Sequence, residues 1–153
     1  MNDIKLNPID ILKIRQLNGI FIDSKAKEFI KSLKIKKLRG RDNIIDSVNC
    51  FVYVGDYTFP EAEEIRKQWS TKNTEWRIIS LEELNYLSAI DNKYEAKDYI
   101  VGKRIIFPFT PFGYLTRSTC IKNGKTHHLI DKKYSGKIWT SDENFKASVW
   151  LVC

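Results

Sequence analysis

The chain has 153 residues, which is enough for one domain with a sizeable core and too few for two. Hydrophobic residues make up 42% and aromatic residues 12% of it, a composition that excludes an intrinsically disordered chain. The formal net charge of +7 resides in residues 1–41, which hold eleven basic and four acidic residues, while the other 112 residues carry fifteen of each sign. With neither an apolar run of about 18 residues nor a signal-peptide core, the sequence predicts a soluble, cytoplasmic protein, or a surface protein exported by another route.

The first 47 residues predict a basic helical extension. Asn7-Pro8 combines a good N-cap with a proline suited to the first helical turn, and Gly19 is a plausible end of this helix. A second helix is predicted from Asp23 or Ser24. Its apolar residues follow helical spacing and leave the lysines on another face: Ala26, Phe29, Ile30 and Leu33.

The remainder, residues 48–153, mixes helices with short strands. A strand at 50–54 is predicted to end at Gly55-Asp56, and a helix to start at Thr58 or Pro60. A strand at 76–79 then leads into a helix beginning at Leu81, which Ser80 and Glu83 would start with a capping box. Beyond residue 99 we expect strands and turns, including a hairpin turn at 123–124 and strands at 137–140 and 147–152. This order predicts an α+β fold.

Four segments together resemble a known family. They are YTFPEAEEI (57–65), EWRIISLEEL (75–84), FPFTPFGYL (107–115) with Gly124 following, and KIWTSDE (137–143) leading into ASVWLV (147–152). In their order they are similar to the motifs of bacterial Lcl-type and major-paralogous domains, a branch of the C-type-lectin-like fold. The resemblance covers about residues 48–153.

This resemblance implies two helices with irregular antiparallel strands, a scaffold that presents variable loops, chiefly 88–137, to a ligand. Trp76, Trp139 and Trp150 are then expected to be core residues. Two departures stand out: Ile79 occupies the position of a usual proline, and family members usually continue through a further hairpin. Either that hairpin is missing or residues 147–152 take the place of the terminal strand.

Metal, cofactor and catalytic signals are weak. The calcium-binding tripeptides of sugar-binding C-type lectins are missing, and Asp142-Glu143-Asn144 offers only part of a calcium shell. His127 and His128 are adjacent, so on a strand they would point to opposite faces and could not both bind one metal. The three cysteines, Cys50, Cys120 and Cys153, are odd in number and predict reduced thiols. We therefore expect no cofactor, no metal and no enzyme, with a nucleophilic pair of Cys120 and His127 or His128 as the least favoured alternative.

Candidate ligand-binding residues come from the aromatic, proline-interrupted segment and the region after it. Exposed aromatic side chains are typical binding anchors, although the same aromatics could equally pack the segment against the domain. The candidates are Phe109, Phe112, Tyr114, Arg117, His127 and Tyr134. With these candidates, the resemblance implies a non-enzymatic, calcium-independent binding module for a protein or glycan ligand.

A competing hypothesis uses the basic helix at 24–41. A cationic face can attach to nucleic acid, to an anionic membrane surface or to an acidic protein, and lysine-rich faces favour bulk attraction over specific readout. The residues of this electrostatic patch are Lys27, Lys31, Lys34, Lys36, Lys37, Arg39 and Arg41. The alternative is that these basic residues form an ordinary solvent-exposed surface with no binding role.

Overall fold

A computed structural model describes residues 6, 8–17, 19–22, 24, 27–28, 46–84, 86–87, 113–132, 137–141 and 144–153. The fold is mixed α+β, which confirms the predicted class. In chain order its elements are α1 (Pro8–Gln16), β1 (Ile20–Phe21), β2 (Cys50–Tyr57), α2 (Phe59–Trp69), β3 (Arg77–Ile78), β4 (Tyr114–Lys122), β5 (Lys125–Lys132), β6 (Lys137–Ser141) and β7 (Ala147–Val152). Residues 81–84 and 86–87 form a short helix after β3.

Within these residues the strands build one seven-stranded sheet. Its order is β1-β2-β7-β4-β5-β6, with β3 also paired to β7. The first and last long strands, β2 and β7, are therefore neighbours at the centre, where they run antiparallel. The hairpin of β4 and β5 turns at Asn123-Gly124, where both residues have positive φ angles of 53° and 75°, as the sequence predicts for a tight hairpin turn.

One edge of β7 pairs with β2, and its other edge pairs with two strands, β3 and β4. β3 pairs antiparallel with its end, where Arg77 lies opposite Val152, and β4 pairs parallel with its start, where Tyr114 lies opposite Ser148. The Ile79 amide continues this edge by donating to the Trp150 carbonyl over 3.0 Å. The chain around Ile79 is thereby held next to β4, although the two are far apart in sequence.

Alternate residues of the central strands enter two cores on opposite faces of the sheet. Phe51 and Trp150 lie in the first core, whereas Val52 and Leu151 lie in the second. The short helix covers the first core with Leu84, Tyr86 and Leu87, and the helices α1 and α2 cover the second with Ile14 and Ala62. Trp76 is fully buried in the second core, as predicted, and packs edge-on against Trp69 at 5.3 Å between ring centroids.

Helix α2 begins with a capping box. The Thr58 hydroxyl accepts from the Glu61 amide, and the Glu61 carboxylate accepts from the Thr58 amide. Pro60 stands in the first turn, where its missing N–H costs nothing. The prediction that this helix starts at Thr58 or Pro60 is confirmed.

The N-terminal segment contributes a strand as well as a helix, which the sequence did not predict. β1 pairs with β2, with Phe21 opposite Cys50. Ile20 and Ile22 enter the first core, whereas Ile14 and Phe21 enter the second. The described part of residues 1–47 therefore packs into the cores of residues 48–153.

Two further expectations need correction. β2 does not end at Gly55-Asp56 but continues to Tyr57, because a bulge at Gly55, with φ of 124°, lets the strand keep pairing with β7. Residues 114–132, which the resemblance places within the loop region 88–137, form the hairpin of β4 and β5, as the hairpin-turn signal at 123–124 indicates. Among the described helices, none is long and apolar enough to cross a membrane.

Candidate binding surface

The corner after β3 is fixed by a second capping box. The Ser80 hydroxyl accepts from the Glu83 amide over 3.1 Å, and the Glu83 carboxylate accepts from the Ser80 amide over 2.9 Å. This is the arrangement that the S-x-x-E spacing predicts, and it starts the short helix. Unlike most capping glutamates, Glu83 is buried, with only 3% of its surface exposed.

Two arginines neutralise the buried carboxylate. Arg77 donates to Glu83 Oε2 over 2.9 Å and Arg117 donates to Oε1 over 2.5 Å. Burial by itself raises the pKa of Glu83, but the Ser80 amide, Arg117 and Arg77 outweigh it, so the pKa lies below its usual value. The cluster of one carboxylate and two guanidinium groups carries a net positive charge.

Arg117 also joins β4 to the corner through the backbone. Its amide donates to the Ile79 carbonyl over 3.0 Å, and its Nη1 donates to the Ile78 carbonyl over 2.6 Å. Next to it, the Ser118 hydroxyl accepts from the Leu81 amide over 3.0 Å. A bulge in β4 between Leu115 and Thr119 accompanies these contacts. Arg117 was expected as a ligand-binding residue, and the structure gives it a role in holding the frame, with 36% of its side chain exposed.

The two histidines point to opposite faces of β5, as the strand geometry predicts. The His128 ring stacks on Phe59 of α2, with 3.5 Å between ring centroids and 15° between their planes. His127 therefore lies on the other face, the one that carries the short helix. Only one of the two histidines, His127, remains on the side where Arg117 reaches Glu83.

Cys120 lies directly opposite His127 in the β4–β5 pair and is likewise half-buried. This places together the two residues of the least favoured, catalytic alternative. Facing positions alone do not make a catalytic pair, because a thiol nucleophile needs a base that a third group orients. We define the hairpin surface as Arg117, Cys120 and His127, three half-buried residues of β4 and β5.

Tyr114 requires a correction. It was expected as an exposed aromatic anchor, but its side chain is fully buried in the first core. The reason is the parallel pairing of Tyr114 with Ser148 of β7, which brings it beneath the short helix. A ligand cannot reach this ring without the core opening.

Several predicted site residues lie outside the described residues. They are Phe109, Phe112 and Tyr134 of the ligand set, and Lys31, Lys34, Lys36, Lys37, Arg39 and Arg41 of the electrostatic patch. The remaining member of that patch, Lys27, donates from Nζ to the Asn49 side chain over 2.6 Å and is half-buried. Lys27 is thus engaged with the start of β2.

Segment 88–112 lies outside the described residues, but the residues on either side of it are buried. Before it, Leu87 is fully buried in the first core. After it, Gly113 is buried and its carbonyl accepts from the Ser148 amide over 2.9 Å. Its φ of 83° is accessible to glycine at little cost, which suits the turn into β4.

Among the described residues, no cluster of three or more histidine, cysteine or acidic side chains could hold a metal ion. Comparisons of the chain with protein-family models, with curated proteins and with solved structures found no match in any of the three. Its function is therefore inferred from its own residues.

Proposed function

We propose that this protein is a non-enzymatic binding module with a C-type-lectin-like scaffold, which recognises a protein or glycan ligand without calcium. The observation that carries the proposal is that Leu87 and Gly113, the two residues that flank the long segment 88–112, are both buried in the frame that also carries the hairpin surface. A long segment held at both ends by a rigid frame is a common location of binding residues.

The arrangement of the frame supports the C-type-lectin-like part of the proposal. That resemblance implies two helices combined with irregular antiparallel strands. Here α2 and the short helix follow β2, and bulges interrupt both β2 and β4. The motif corner, Trp76 to Leu84, holds the frame through buried side chains and the Ser80–Glu83 capping box.

The ligand surface in this proposal combines segment 88–112 with the hairpin surface. His127 is its best described probe, because Arg117 also neutralises Glu83 and its removal would disturb the frame. Phe112 belongs to the surface on the ground of its sequence, as an aromatic residue between a proline and a glycine.

The experiment screens the purified full chain against a glycan array and a displayed-peptide library, both with EDTA present. Each ligand found is then titrated against wild type, His127→Ala and Phe112→Ala, with Thr126→Ala as the matched control, since Thr126 is an exposed neighbour of His127. We expect binding that EDTA does not reduce, that weakens in the first two variants and that stays unchanged in the control.

The electrostatic patch makes a contrasting prediction in the same experiment. Binding through its lysines should weaken steeply as salt increases and should be lost in a triple variant of Lys34, Lys36 and Lys37 to glutamine. That result, with full binding in His127→Ala and Phe112→Ala, would replace the proposed surface by the patch. A loss of stability of about 3 kcal/mol or more in Phe112→Ala would assign Phe112 to the core instead.

A further inference from the structure

Two of the three cysteines face each other across the central strand pair. Phe51, near the start of β2, lies opposite Val152 at the end of β7. The residue before Phe51 is Cys50, and the residue after Val152 is Cys153. Each of these cysteines donates its amide to the other's carbonyl, both over 3.2 Å. They are therefore a hydrogen-bonded antiparallel pair, directly opposite one another.

The geometry of such a pair is compatible with a disulfide. Directly opposed residues that exchange both hydrogen bonds have Cα atoms about 5.5 Å apart, and disulfides span Cα separations of about 4.4–6.8 Å. Both side chains pack in the second core, and the Cys153 thiol is close enough to Cys50 to contribute to its raised pKa. The Cβ atoms of opposed residues lie about 4.5–5.5 Å apart, whereas a disulfide needs about 3.5–4.5 Å, so the strand ends must move slightly closer together for the sulfurs to join.

The two thiols differ in their access to solvent. Cys50 is fully buried in the second core, between Phe21 of β1 and Cys153 on the other side. Cys153 packs against the same core but is half-exposed. Burial, together with the hydrogen bond to Cys153, raises the pKa of the Cys50 thiol. An oxidant in solution therefore meets Cys153 first.

We propose that Cys50 and Cys153 form a disulfide-forming site that reacts with low-molecular-weight disulfides and cross-links β2 to β7. The Cys153 thiolate attacks one sulfur of the small disulfide, forming a mixed disulfide and releasing one small thiol. Cys50 then loses its proton and attacks the Cys153 sulfur, which forms the protein disulfide and releases the second small thiol. Two protein thiols are oxidised and one small disulfide is reduced to two thiols.

The cross-link would join β2, the first long strand of the chain, to β7, the last one. β2 and β7 are neighbours at the centre of the sheet, and nearly all of residues 48–153 lies between the two cysteines along the chain. A disulfide that closes so long a loop restricts the unfolded chain strongly. The stability of the folded protein would thus depend on the thiol–disulfide balance around it, independently of any ligand.

The test uses the full chain and its Cys120→Ser variant, each incubated with oxidised glutathione and then alkylated. We expect the Cys120→Ser protein to lose two hydrogen atoms in mass, to take up no alkyl group and to remain a monomer on a non-reducing gel. Peptide mapping should join the tryptic peptides 42–66 and 147–153, which carry Cys50 and Cys153. The urea midpoint should rise on oxidation and return to its starting value with dithiothreitol.

Single variants separate the two steps. Cys50→Ser should stop at a stable mixed disulfide with one glutathione on Cys153, and Cys153→Ser should leave the buried Cys50 unmodified while the protein is folded. If Cys50→Ser does not fold, the peptide maps of the full chain and of Cys120→Ser still show whether Cys50 and Cys153 are joined. The proposal is overturned if the folded Cys120→Ser protein keeps a glutathione on Cys153 with Cys50 reduced, if it dimerises through Cys153, or if neither cysteine reacts.

Discussion

Arg117 donates to Glu83 across 2.5 Å, although 34 residues separate them in the sequence. The contact joins β4 to the capped corner after β3, and the same guanidinium also binds the Ile78 carbonyl. Because Glu83 is buried, its charge depends on Arg117 and Arg77 for compensation. One carboxylate thus caps a helix, pairs with two arginines and fixes the edge of the hairpin surface.

Replacement of Glu83 by glutamine should destabilise the protein. The amide keeps the size of the side chain, but it removes two charge-assisted hydrogen bonds and leaves both guanidinium groups without their carboxylate. Since both arginines are partly exposed, water compensates for some of the loss, and we expect a cost of about 2 kcal/mol. The urea unfolding midpoint measures it.

Glu82→Gln is the matched control for that variant. It removes the same charge from the adjacent position, which is exposed and makes no ion pair among the described residues. We expect its midpoint to stay close to that of wild type. Equal midpoints for the two variants would show that the buried cluster does not stabilise the fold.

The Glu83 carboxylate should also make the stability of the folded protein decrease at acidic pH. Its pKa is lower in the folded protein than in the unfolded chain, where a glutamate titrates near about 4.3. The contribution of Glu83 is therefore complete above that pH and is lost as the pH falls through the folded pKa. The difference in unfolding midpoint between wild type and Glu83→Gln should shrink on acidification. A difference that stays constant from neutral to acidic pH would contradict this assignment.

Local sequence patterns predicted the Ser80–Glu83 capping box and the hairpin turn because their partners lie within three residues of each other. Ser80 and Glu83 form the predicted box, and Asn123-Gly124 forms the predicted turn. The pairing of Arg117 with Glu83 could not be predicted in this way, since only the tertiary fold brings them together. The helix start holds two adjacent glutamates, Glu82 and Glu83, and nothing in the local pattern shows that Glu83 would pair with a distant arginine.

The errors have equally physical causes. β1 is only two residues long, too short for an alternating pattern, and it exists because β2 offers a free edge to pair with. Tyr114 was expected in an exposed aromatic segment, but its pairing with Ser148 buries it. The sequence predicts that β2 ends at Gly55, but the positive φ of this glycine allows a bulge within the strand.

Truncation of Trp76 should unfold the protein or leave it marginally stable. The ring is fully buried in the second core and packs edge-on against Trp69, so alanine would leave a large cavity. Loss of a buried tryptophan costs about 3–5 kcal/mol. Trp69→Ala, at a half-buried position, should cost less. Near-ultraviolet circular dichroism and urea unfolding measure which of the two variants loses more stability. A larger loss in Trp69→Ala than in Trp76→Ala would contradict the prediction.

Gly19→Ala tests whether the N-terminal segment stabilises the rest of the protein. The added Cβ would lie 2.2 Å from Ile14 Cγ2 and 2.9 Å from the Ile14 carbonyl oxygen, which accepts the Gly19 amide hydrogen bond. Ile14 is fully buried in the second core, so the clash must move either α1 or β1 away from the sheet. Overpacking of this kind costs about 1–3 kcal/mol.

Unfolding of this variant is best followed by tryptophan fluorescence, because all four tryptophans lie beyond residue 47. A lower midpoint in that signal would mean that α1 and β1 stabilise residues 48–153. Gln16→Ala, at an exposed position of the same helix, is the control and should change the midpoint little. If Gly19→Ala left the tryptophan signal unchanged, the N-terminal segment would be an independent addition, because the strained contact would then be relieved without cost to either core.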